Sequence, residues 1–121
     1  MISIGKNGEL LEYLTGDNSL ISAKINKIEI EFNEESGDSV GIYIDRLYAK
    51  SNKRILLLFT NISTFDFGYD GPKYSYYIDR YKLIATKEDF YFCIDPLDDS
   101  DLISPSDQNI IRSQNIEGFL I

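Results

Sequence analysis

From Leu20 onward, apolar and polar side chains alternate with a period of two, as expected of strands with one wet face. Ile28, Ile30 and Phe32 alternate with Glu29, Glu31 and Asn33, while Ile21, Ala23 and Ile25 upstream keep the opposite parity. The phase change at Asn26-Lys27 predicts a bulge or bend between two half-strands. The turn-forming run Glu34-Glu35-Ser36-Gly37-Asp38 leads into a second alternating segment built on Val40, Ile42 and Ile44. Ser51-Asn52 predicts a hairpin turn into residues 53–60. There Ile55-Leu56-Leu57-Leu58-Phe59 is apolar without interruption, which predicts a central strand buried on both faces.

Residues 61–73 read as irregular. Residues 74–85 read as one long strand with aromatics on both faces, changing partners around Asp79-Arg80. Lys87-Glu88-Asp89 then makes a tight connection to Phe90-Tyr91-Phe92-Cys93-Ile94. A short helix is predicted over residues 8–14, with Asn7 as N-cap, Gly16 just past its end and Leu10, Leu11 and Leu14 as its buried stripe. Ser104-Pro105-Ser106-Asp107 has the order of an N-cap, a first-position proline and a first-turn acid, so a second helix is predicted to end at Arg112 or Ser113. Residues 116–121 are apolar enough to dock as a tail strand. The fold class expected is α+β and β-rich. It is a mostly antiparallel, meandering sheet of five to six strands with a short helix near each end, in one domain spanning residues 1–121.

Composition agrees with a strand-rich chain. Of 121 residues, 18 are Ile and only three are Ala, while Tyr and Phe supply 16. A chain of this size buries roughly two-thirds of its unfolded surface, enough for a core without staples. Twelve basic and 20 acidic residues give a net charge of −8, which opposes binding to nucleic acid or to an anionic membrane surface. A basic protein partner is the electrostatic inference that remains, beside plain solubility. With no histidine, imidazole relays and imidazole metal ligands are excluded. The single Cys93 permits neither an internal disulfide nor a multi-thiolate zinc site, and its apolar surroundings predict a packed thiol. Neither a signal peptide nor an apolar run of membrane-spanning length is evident, so a soluble, cytoplasmic chain is expected.

Few segments offer chemistry. Asp95, Asp98, Asp99 and Asp101 cluster as calcium ligands sometimes do, but the spacing lacks the glycine and the closing glutamate of a helix-loop-helix site. The segment reads as a solvated loop or as one presenting acids to a partner. Gly68-Tyr69-Asp70-Gly71-Pro72-Lys73 lacks the spacing of a phosphate-cradling loop and reads as a wide turn. No residue stands out as catalytic, and no cofactor or metal is expected. A mixture of tyrosine and aspartate is the most suggestive feature, because tyrosine brings large contact area, few torsions and a polar tip to protein interfaces. The candidate partner-binding residues are Tyr69, Asp70, Tyr74, Tyr76, Asp98, Asp99 and Asp101.

In general style the chain resembles the small acidic immunity proteins encoded beside bacterial polymorphic toxins. The resemblance rests on the strand-rich body, on Tyr76-Tyr77-Ile78-Asp79-Arg80-Tyr81, on Phe92-Cys93-Ile94-Asp95-Pro96 and on Ser106-Asp107-Gln108-Asn109-Ile110-Ile111. It implies tight, non-catalytic binding of a cognate toxin domain, often a basic nuclease, and assigns no individual residue. The alternatives are a homodimer or other homo-oligomer formed through the aromatic strand, or a small carboxylate-dependent hydrolase.

Overall fold

A computed structural model describes residues 1–50, 53–69 and 77–121. Its strands are β1 (Ile2–Lys6), β2 (Ala23–Glu31), β3 (Ser39–Asp45), β4 (Arg54–Asp66), β5 (Tyr77–Ile78), β6 (Lys82–Ala85), β7 (Phe90–Asp95) and β8 (Gln108–Leu120). One short helix, α1 (Gly8–Tyr13), and a 3-10 turn at Gly16–Asn18 complete the described elements. No helix among the described residues is long and apolar enough to cross a membrane.

All strand pairings are antiparallel, in the order β5-β2-β3-β4-β8-β7-β6, with β1 on the C-terminal half of β8. Two meanders, β2-β3-β4 and β6-β7-β8, are therefore joined by the pairing of β4 with β8. The outermost strands, β5 and β6, are separated in sequence by only residues 79–81. Those few residues reach at most about 14 Å, whereas six strand spacings across a flat sheet would need about 29 Å. The sheet must curl until its two edges approach one another.

The inside of this curl is the core. Val40, Ile42 and Ile44 face Ile55, Leu57 and Phe59 across β3 and β4, and Ile111 and Ile116 of β8, Phe92 and Ile94 of β7 and Leu10 of α1 join them. The Phe59 and Phe92 rings meet at 5.3 Å between centroids. Gly118 brings α1 against β8, since a Cβ there would stand 2.6 Å from Leu10 Cδ1. Gly5, at φ +141°, lets β1 turn into α1 where a Cβ would meet the Leu10 amide nitrogen at 2.8 Å.

Several expectations hold. The register of β2 against β3 shifts between Ile25 and Lys27, the site of the predicted bulge. The run from Ile55 to Phe59 lies in β4, flanked by β3 and β8. The predicted turn at Ser51-Asn52 lies outside the described residues, although β3 and β4 pair as a hairpin requires.

Others are corrected. Residues 108–113 are strand, not helix, because Asn109, Ile111 and Ser113 alternate inward and long pairing with β4 outweighs the local capping signal. They run on into the expected tail strand to form β8. Strand β4 continues to Asp66, through residues read as irregular, by pairing with Ile110 and Ile111. Of the stretch read as one strand over residues 74–85, residues 74–76 lie outside the described residues and the rest is broken after Ile78. The expected change of partners does fall at residues 79–81, with β5 on β2 and β6 on β7 at opposite ends of the sheet order. With that split and an additional strand, β1, the described residues hold eight strands. Asn7 supplies no side-chain cap to α1. Its side chain is turned to β8, where Asn7 Oδ1 accepts from the Ile116 N–H at 2.9 Å and Nδ2 donates to Asn115.

Candidate functional site

Strand β7 is apolar from Phe90 to Ile94 because it is covered twice. Phe92 and Ile94 enter the core, while Tyr91 and Cys93 point to the opposite face by the two-residue period of a strand. Lys82 pairs directly with Cys93 and shares that outer face. The loop 96–107 folds over it, so that Lys82, Tyr91 and Cys93 are all buried. Arg80 holds the start of the loop, donating to the Pro96 and Leu97 carbonyls at 3.1 and 3.4 Å, and the loop's main tie is at Asp107. Asp107 accepts hydrogen bonds from the Leu97 N–H at 2.8 Å, the Ser104 N–H at 3.0 Å and the Tyr91 hydroxyl at 2.7 Å. Lys82 Nζ donates to both carboxylate oxygens of Asp107 at 3.1 and 3.2 Å and to the Leu102 carbonyl at 2.6 Å. It also lies 3.2 Å from Asp98.

Burial alone would raise the Asp107 carboxyl, but the N–H groups of Leu97 and Ser104, the Tyr91 hydroxyl and the Lys82 ammonium outweigh it and bring it down to about 2. Burial likewise opposes the Lys82 ammonium, and the hydrogen bonds to Asp107 and Asp98 prevail, holding it above the usual lysine range. Burial, reinforced by the Asp107 carboxylate, moves Tyr91 well above the normal tyrosine range. Burial pushes the Cys93 thiol up to about 11. This is the packed, unreactive cysteine expected from its apolar run. Asp107 is fixed as an anion and saturated with donors, so it serves as a structural anchor.

Beside this anchor the ends of β4, β7 and β8 enclose a depression of about 470 Å³ lined by Asp66, Tyr69, Asp95, Gln108 and Asn109. Asn109, at φ +56°, ties the strand ends together. Its Oδ1 accepts the Gly68 N–H at 2.8 Å, and its Nδ2 donates to the Asp95 carboxylate. The left-handed backbone at a non-glycine residue is a strain that these contacts hold in place.

The sequence-predicted candidates separate into three groups. Tyr69, 75% exposed, stands at this depression, next to the anchored loop. Asp98, Asp99 and Asp101 lie on the loop itself. Asp98 is engaged with Lys82 and with the Ser100 N–H and hydroxyl, which hold its carboxyl below the usual range, the Ser100 contacts foremost. Asp99 pairs with Arg80 at 3.2 Å yet keeps 83% of its side chain in solvent, and Asp101 is exposed. Asp70, Tyr74 and Tyr76 lie outside the described residues. Sequence reasoning missed Lys82, Tyr91 and Asn109 as parts of this assembly. It read Asp107 as a helix residue, because nothing local links these positions. No group of three or more metal-ligating side chains occurs among the described residues.

Compared with family models, curated proteins and solved structures, this chain matches none.

Proposed function

We propose that the chain is a non-catalytic binding module of the immunity type, which sequesters a basic protein domain against the acidic end formed by Tyr69 and the loop 96–107. The observation that carries this reading is the Lys82–Asp107 anchor. It fixes the backbone of a loop whose Asp99 and Asp101 side chains remain in solvent. Carboxylates held on an ordered loop lose little conformational freedom on binding, and this raises affinity without further contacts. A net charge of −8 accelerates encounter with a cationic surface and sets selectivity. The exposed Tyr69 ring offers an anchor beside those charges. Such a module works in the cytoplasm, where its toxin would otherwise act. It needs neither cofactor nor metal, and neither nucleic acid nor membrane is its target.

Coexpression with the C-terminal domain of the protein encoded immediately upstream tests the reading. Relief of growth arrest by this chain, and association that slows and loses salt dependence in D99N/D101N, is the expected result. No relief, or an association rate and salt slope unchanged in the double variant, overturns it.

A further inference from the structure

On a chain with 20 acidic residues, one groove is basic. It has a volume of about 440 Å³ and lies across the ends of four adjacent strands, β5, β2, β3 and β4. Its floor is a single in-register row, in which Tyr77 pairs with Lys24, Lys24 with Asp45, and Asp45 with Arg54. Lys53 and the exposed Leu47 complete the rim. Asp45 is occupied by Arg54, which donates from Nε at 2.9 Å. Lys24 and Lys53 have no ion-pair partner among the described residues, and Lys24 Nζ rests 5.9 Å from the centroid of the Tyr77 ring. Among the described residues the groove therefore offers two cations outside any close ion pair, Lys24 acting on Asp45 only at longer range, above an apolar wall.

Tyr77 also lines a second depression, with Asp79, Arg80, Asp95 and Pro96, of about 270 Å³. From that depression the acidic loop departs, carrying Asp99 and Asp101 together with the exposed Leu97 and Leu102. The basic groove and the acidic loop thus flank one half-exposed tyrosine and are complementary to each other in charge and in apolar content. A surface with both halves of a contact on either side of one point is self-complementary about a two-fold axis through that point. We infer that a second copy of this chain docks here, the loop of each copy seated in the groove of the other, with the two Tyr77 rings near the axis. Screening at physiological salt suppresses the repulsion between two chains of charge −8 beyond about 8 Å, while charge pairs in direct contact keep their attraction. The inference goes beyond the binding role proposed above and stands without it.

Sedimentation of the full chain over a concentration series tests the pairing. The weight-average mass should rise from 13.9 kDa toward twice that value. The variants K24E/K53E and D99K/D101K change only solvent-facing side chains, and each should remain at the monomer mass. In an equimolar mixture, one groove–loop contact keeps both native charges and the other has both reversed. The mixture should therefore form a dimer containing one copy of each. A wild-type chain that stays monomeric throughout overturns the inference. So do charge variants that still self-associate, or a mixture that stays monomeric.

Discussion

Replacing Asp107 with Asn removes the charge from the anchor while keeping its shape. Five donor contacts converge on the native carboxylate from Lys82, Tyr91, Leu97 and Ser104. The amide nitrogen of Asn turns a donor toward other donors, and the buried ammonium loses its nearer counter-charge. Breaking a buried ion pair from one side costs about 3–5 kcal/mol. Lys82 retains Asp98 and the Leu102 carbonyl, so the lower end, about 3 kcal/mol, is expected for D107N. A fold of this length has about 6–18 kcal/mol in hand, so the variant still folds and urea denaturation with an unchanged slope can measure the loss. Adding K82M removes the stranded charge and should recover at least half of that loss. A drop below about 1 kcal/mol in D107N, or further destabilisation on adding K82M, would refute the assignment of Asp107 as the anchor. The dependence on pH carries its own sign. The folded carboxyl sits at about 2 against an ordinary 3.8, so its contribution is complete above pH 4 and is lost as pH falls toward 2. It amounts to about 2 kcal/mol. Wild type should lose this increment on acidification and D107N should not. Other acids held low in both proteins, Asp89 and Asp45 among them, cancel in the difference. Lys82, held high, keeps its contribution through neutrality and gives it up only at alkaline pH.

Three further outcomes are expected. Y91F leaves Asp107 one donor short and should cost about 1.5–2 kcal/mol in the same urea assay, with the far-UV circular dichroism of the folded state retained. Cys93, with its thiol pushed up to about 11 and buried, should not react with a disulfide reagent at pH 8 in the native protein. It should react fully once guanidinium unfolds the chain, and rapid native labelling would contradict the buried position. G5A places a Cβ against the backbone of Leu10 at a positive φ. It should lower stability by about 3 kcal/mol, more than a substitution to Ala at Gly8, where a Cβ meets nothing within 4 Å.

Much of the sheet was legible because one-sided burial imposes a two-residue period. Val40, Ile42 and Ile44 on β3, and the bulge after Ile25 on β2, follow from it directly. The signal weakened where burial was two-sided or polar. In β8 the inward positions include Asn109, Ser113 and Gly118 beside Ile111 and Ile116, so the apolar alternation is broken and the capping-like Ser104-Pro105-Ser106-Asp107 prevails in a local reading. Asp107 does face backbone N–H groups, as a cap would, but they belong to Leu97 and Ser104 of its own loop. The candidate site shows the same division. Asp98, Asp99 and Asp101 are conspicuous as a run, whereas Lys82 and Tyr91, which fasten that run, stand 25 and 16 residues from Asp107. Such a pairing exists only once the loop has folded over β7.

One loop thereby carries two demands that pull in different directions. Its buried side needs Asp98 and Asp107 near Lys82, while its exposed side presents Asp99 and Asp101 to a cation outside. Each carboxylate drawn inward fastens the loop and is withdrawn from external contact, so the exposed acids can steer a partner only because Asp107 already satisfies the buried lysine. Weakening the anchor should therefore act on binding through order as well as through stability. D107N loosens the loop, which Arg80 still holds at Pro96, Leu97 and Asp99, without touching its exposed charges. Long-range attraction would be preserved, so association with a basic partner should keep its salt dependence while dissociation quickens. Charge removal at Asp99 and Asp101 should do the reverse, slowing association with little change in dissociation. Kinetics in which both variants alter the same rate constant would mean that anchor and steering charges are not separable, and the division of labour within the loop would fall with it.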